Sequence, residues 1–239
     1  MRDGDWQATL ALAERIPEEA IVSGYVRITR AEMIVARDGP EHGLPLLAAP
    51  REQLLAAGNR QWRGQLAFVA LTYLLAGDPR RALEELELII DLIAQDFLHP
   101  PVTHAAVLGV AAAQRLGDEA ELRRWIGIAA GGSLDVPALR LQRAFATAEA
   151  AVLEGEVDRA VGLLEGIPGA WRYPHLPVVP TLADLRRGEL LAGRGDAAAA
   201  AQAFARATAY WRTVKAEWYL ARLAEWARER GIRADPPSG

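Results

Sequence analysis

The feature that most constrains this chain is a turn that returns in register. Five times a helical stretch closes on a glycine just before a second one opens, at Gly39-Pro40, Gly77-Asp78, Gly117-Asp118, Gly155-Glu156 and Gly195-Asp196. Successive glycines are 38, 40, 38 and 40 residues apart. Glycine enters the left-handed region that ends a helix without steric penalty. The acid that usually follows accepts hydrogen bonds from the free amides of the next helix and complements its dipole. Pro79 suits a first turn, where its missing amide is harmless. Each unit therefore reads as helix, tight turn, helix, and a period near 40 marks stacked supersecondary units.

The reading predicts helices over 5–16, 20–37, 41–57, 60–76, 79–97, 102–116, 118–130, 136–154, 157–166, 181–193, 196–213 and 215–230. No stretch carries sustained strand alternation. The expected fold is all-α: a right-handed α-solenoid of antiparallel helix pairs, one domain over 1–233, with 234–239 as a mobile tail. Units of such an array contact only their neighbours, so the expected shape is elongated.

Composition narrows the chemistry. The chain is 51% hydrophobic and 24% charged, with net charge −4, so no global basic field points to nucleic acid or to an anionic membrane. With no cysteine, disulfides, thiolate catalysis and cysteine-ligated zinc are excluded, which fits a cytoplasmic protein. The first residues lack the pattern of a signal peptide, and no stretch reaches the roughly 20 apolar residues that span a bilayer. There is no phosphate-binding loop, nucleophile elbow or His-Glu-x-x-His. The expectation is a non-enzyme without cofactor or metal.

Individual residues point the same way. His99 and His104 flank Pro100-Pro101, so they do not sit one turn apart as a metal pair; His104 opens a first helix, facing groove or solvent. Glu84, Glu85 and Glu87 read as a solvated face with Arg80 and Arg81. Arg123-Arg124 and Arg186-Arg187 read as exposed helix faces, since nucleic acid needs a concentrated basic surface. Of the seven tryptophans, Trp6, Trp62, Trp125, Trp211, Trp218 and Trp226 fall in amphipathic helices and read as core between helices. Trp171 lies in the proline-rich stretch from Gly166 to Pro180. Trp171, Arg172, Tyr173 and His175 are residue types that dominate binding hot spots. They read either as a partner contact or as a plug against their own repeat.

These residues resemble the tetratricopeptide (TPR) family, which places small residues where its two helices cross. Ala70, Tyr73, Ala82 and Leu86 stand at the family's places in one unit; Gly188, Ala200, Phe204 and Ala207 do so in another. The Gly155 unit keeps Ala148, Ala160 and Leu164. In the Gly117 unit, Val110 and Leu122 occupy two of the small positions, and the Gly39 unit is weaker still. The longer period is similar to the TPR-like superhelical arms of bacterial LuxR-type, maltose-regulator-like ATPases and antibiotic-regulator-like (BTAD) activators. The resemblance implies a concave face lined by first helices, with His104, Gln142, Phe145, Glu149 and Glu189 turned inward; Phe145 reads equally as core. It implies an interaction scaffold that binds a peptide or protein domain, including other domains of the same regulator. The alternatives are a small-ligand sensor arm with a metabolite in the groove, and an enzyme on an α-toroid.

Two expectations concern the ends. Over Lys215–Gly231, Trp218, Leu223 and Trp226 form an apolar stripe, with Glu217, Arg222 and Glu225 on the wet side of a capping helix. Gly4-Asp5 repeats the turn 35 residues before Gly39. Helix 5–16, with Trp6, Leu10 and Ala13 as its stripe, reads as a second helix without its first. That implies a piece of a longer regulator, or end-to-end association through this helix.

Overall fold

The structure, a computed structural model, describes residues 6–13, 15, 23–95, 102–131, 134–171 and 177–232. Among them every regular element is helical. In chain order these are α1 (Trp6–Ala13), α2 (Ser23–Asp38), α3 (Pro40–Gly43), α4 (Ala48–Ala56), α5 (Arg60–Arg63), α6 (Leu66–Leu75), α7 (Pro79–Glu87) and α8 (Ile90–Ala94). They continue with α9 (Ala105–Leu116), α10 (Glu119–Ala130), α11 (Pro137–Leu153), α12 (Val157–Ala170), α13 (Val178–Gly193), α14 (Ala197–Thr213) and α15 (Glu217–Glu229). Short 3-10 turns at Leu44–Leu47 and Val102–His104 join α3 to α4 and lead into α9.

The recurrent turns form as the chemistry requires. Gly39, Gly77, Gly117, Gly155 and Gly195 all have positive φ, between 69° and 109°. After three of them the chain closes the helix with paired backbone bonds: Asp78 donates to the Tyr73 carbonyl at 2.9 Å, Glu156 to Ala151 at 2.8 Å and Asp196 to Leu191 at 3.0 Å. The carboxylates of Asp78, Asp118 and Asp196 each accept an amide of the next helix, at 3.0–3.1 Å. Glu156 makes no such cap and pairs with Arg159 instead.

Some expected helices are broken. The helix expected over 41–57 is split by the 3-10 turn that holds Pro45, whose missing amide cannot continue the ladder. The one over 60–76 restarts after Gly64-Gln65, and the one over 79–97 breaks at Leu88-Ile89. The Leu88 carbonyl freed there accepts from Arg63 at 2.6 Å, and the same guanidinium holds Asp91. At the other extreme α12 runs on to Ala170 through Pro168, so the connection to α13 is shorter than the proline-rich stretch suggested.

Consecutive helices pack as pairs: α6 with α7, α9 with α10, α11 with α12, α13 with α14. The first helices of the pairs also meet each other. Helix α2 packs on α6, α6 on α9, and α9 on both α11 and α13. Gly231 (φ 69°) ends α15 as Gly195 ends α13, with Ile232 donating to Ala227 at 2.9 Å, so α15 has the place of a further first helix. It packs on α2. The outermost described first helices therefore meet, so among the described residues the first helices form a closed ring, where free-ended units would leave the two apart.

Tryptophan builds this closure. The Trp211 indole donates to Thr181 Oγ1 at 3.0 Å and stacks edge-on against Tyr219, ring centres 4.7 Å apart. Trp6 of α1 packs edge-on against Trp211 at 6.2 Å and donates to the Tyr210 hydroxyl at 3.3 Å. Trp6 is thus buried within its own chain. Helix α15 keeps one wet face, with Glu217, Arg222 and Glu225 exposed. Its buried residues are Tyr219, Leu223 and Ala227, while Trp218 and Trp226 are half-buried flanks. Among the described residues no helix is long and apolar enough to cross a membrane.

Candidate functional site

At one mouth of the ring the first helices stop short of filling the middle. The space left is a cavity of about 310 Å³. Its walls are the last turns of α6 and α9, the stretches 145–149 of α11 and 182–189 of α13, and α15. Leu74 and Leu75 come from α6, Ala111, Gln114 and Arg115 from α9, and Phe145 and Glu149 from α11. Leu182, Leu185, Arg186 and Glu189 come from α13; Tyr219, Arg222, Leu223, Trp226, Glu229 and Arg230 come from α15 and its end.

An alternating charge network runs along one wall. Arg186 grips Glu149 with two nitrogens, at 2.8 and 3.0 Å, and reaches Glu189 at 2.6 Å. Glu189 also accepts from Arg230 at 2.8 Å, and that guanidinium lies 4.6 Å from the centre of the Trp226 ring. Burial pushes the Glu149 carboxyl above its usual range against the pull of Arg186. Burial also pushes Glu189 upward, but Arg186 and Arg230 outweigh it and hold that carboxyl below its usual range. Helix carboxyl ends carry partial negative charge, so arginines near the ends of α9 and α15 complement the converging dipoles.

Three of the residues expected to face inward come together here: Phe145, Glu149 and Glu189. His104 and Gln142 do not. His104 starts α9 fully buried, its ring 5.6 Å from that of Phe68, and Gln142 is buried on α11 outside the cavity lining. Trp171 ends α12 half-buried and packed against the core, the placement of a plug; Arg172, Tyr173 and His175 lie outside the described residues.

Two further readings need correction. Arg186-Arg187 is no exposed face, since Arg186 lies in the network and the nearly buried Arg187 holds Glu165 at 2.6 Å. Glu85 is buried against Arg51 at 2.6 Å, leaving only Glu84 and Glu87 on the solvated side. By contrast, Arg123 and Arg124 are exposed, in ion pairs with Glu119, Glu87 and Glu121.

Sequence reasoning missed Arg115, Arg186, Tyr219, Trp226 and Arg230 as pocket residues. A signal existed in the turn register: the residues six before the turn glycine in three units are Ala111, Glu149 and Glu189, and all line the cavity. Among the described residues, no group of three histidine, aspartate or glutamate side chains is placed to hold a metal. No family model, curated protein or solved structure matches the chain.

Proposed function

We propose that this chain is a TPR-like helical-repeat domain that holds a small ligand in the mouth of its ring, acting as a sensing arm and not as an enzyme. The observation that carries the reading is a half-open cavity on which five helices converge. Its volume is at the lower end of the usual ligand-site range, and its lining combines aromatic and aliphatic side chains with seven charged ones. The repeated turns, and the small residues buried at Ala70, Ala82, Ala148, Ala160, Gly188 and Ala200, support a TPR-like array. Contact between α15 and α2 supports a ring with a cup at its mouth over an open groove for an extended peptide. Glu149 and Glu189 are both tied to arginine, which suits holding and orienting more than moving protons.

The test is a small-molecule screen by thermal shift. Ligands of the mouth raise the melting midpoint of the native chain and lose that effect in Ala111→Met, where a longer flexible side chain occupies the cavity. Stabilisers whose effect survives Ala111→Met would contradict the reading.

The scaffold reading, in which the domain serves a peptide or a neighbouring domain of a larger regulator, has one observation in its favour. An open cleft on another part of the molecule is lined by Pro40, Glu41, Leu44, Pro45, Tyr73 and Arg81. Protein binding that Tyr73→Ala removes and Ala111→Met leaves intact would select it.

A further inference from the structure

Resting on the pocket reading, the charge pattern of the lining names a ligand class. Seven charged residues line the cavity: Arg115, Arg186, Arg222 and Arg230 against Glu149, Glu189 and Glu229. Arg186 pairs with Glu149 and Glu189, Arg230 with Glu189 and Glu229, and Arg222 with Glu225. Arg115, exposed at the rim of the cavity, alone among them has no ion pair to a carboxylate among the described residues. It is not idle. Its Nη1 donates to the Leu74 carbonyl at 3.0 Å, and its charge acts on the buried Tyr219 hydroxyl, against the burial that raises that group's pKa. A guanidinium has five N–H donors, so these contacts leave a face for a further acceptor. The same cavity has apolar lining in Phe145, Leu182 and Leu223.

We infer that the ligand is a small organic anion, a carboxylate on a compact apolar body, whose charged end sits on Arg115. The anion gives the rim guanidinium of Arg115 the carboxylate partner it lacks among the described residues, and the apolar body covers the aromatic and leucine wall. A purely structural role for Arg115, answering the carboxyl ends of α6 and α9, is the competing account, and it predicts no preference for an anion.

The experiment compares 3-phenylpropionate, 3-phenylpropanamide, phenethylamine and inorganic phosphate by calorimetry and ligand-observed NMR on the native chain, Arg115→Gln, Arg115→Lys and Ala111→Met. The expected result is at least tenfold tighter binding of the acid than of its amide, or of phosphate. The preference disappears in Arg115→Gln, is kept in part by Arg115→Lys, and binding is lost in Ala111→Met. Equal affinity for acid and amide, a preference that survives Arg115→Gln, or no acid binding at millimolar concentration overturns the inference. If the amide or the amine binds without a preference for the acid, and Ala111→Met removes it, the pocket reading stands and the anion falls. If acid binding survives Ala111→Met, both fall together.

Discussion

At Gly109 a side chain has no room. A Cβ there would lie 2.1 Å from Cε3 of Trp125, which is fully buried between α9 and α10. Gly109→Ala is therefore expected to destabilise by about 1–3 kcal/mol through overpacking. Gly188 is the control. Its Cβ would meet the Ala200 carbonyl at 3.4 Å and the Ala203 methyl at 3.6 Å, ordinary contacts at the crossing of α13 and α14. Gly188→Ala should gain up to about 1 kcal/mol of helix propensity, whereas Gly188→Leu should lose about 1–3 kcal/mol. Urea midpoints of the three variants check this, and equal midpoints for Gly109→Ala and Gly188→Ala would refute it. The Gly188 crossing was legible because the residue stands seven before its turn glycine, as Ala70 and Ala148 do. The Gly109 crossing was not, because Val110 holds that register place and the space moves one residue earlier to admit an indole. Lys215 was also missed. It turns at φ 54° between α14 and α15, with Ala216 donating to Trp211 at 3.0 Å, the bonding of the glycine turns on a residue that has a Cβ. Lys215→Gly should raise stability by about 0.5–1 kcal/mol, the left-handed strain relieved less the added freedom of the unfolded chain; an unchanged or lower thermal midpoint would count against it.

Among the elements, α2 carries an acid in an unusual setting. Glu32 is half-buried, has no ion pair or hydrogen bond to its carboxyl among the described residues, and is pushed by desolvation from the ordinary 4.5 to about 7. Tyr25 and Tyr210 are the groups that feel its charge. Between those two values the folded chain keeps a proton that the unfolded chain has lost, so stability falls as pH rises through the window. Glu32→Gln should flatten that fall and stabilise the chain above it. Glu85, Glu149 and Asp184, also held up by burial, act in the same sense, so the difference between variant and native chain is the measure. Parallel pH profiles in urea would refute the assignment. Helix α15 shows why element existence was legible and its facing was not. The 3.6-residue pattern gives a stripe, but Trp218, Tyr219, Leu223, Trp226 and Ala227 offer overlapping stripes, and contact with both α14 and α2 selects Tyr219, Leu223 and Ala227.

Over the whole molecule, the five turns announced the helix pairs but not their closure. Closure depends on the small rotation each pair adds to the last, which bulky and small residues set together at every crossing. Trp6 and Trp211 carry no local sign that they meet. Trp211 has the most to lose, since it joins α14 to Thr181 of α13, Tyr219 of α15 and Trp6 of α1. Trp211→Ala should destabilise by about 3–5 kcal/mol, a large truncation at a fully buried site. Small-angle scattering on that variant below its transition should report a larger radius of gyration as the ring loosens; a stable variant with native dimensions would contradict the keystone role.

The meeting of α2 with α15 has a further consequence, in how the chain comes apart. An open array loses structure from its outermost units, which fray at little cost while the middle persists. Here the outermost first helices shield each other, so neither is a loose end. Amide protons of α2 and α15 should exchange with solvent as slowly as those of α9 and α11, through global opening and not local fraying. A graded protection that declines toward both ends would mean that the two helices part readily.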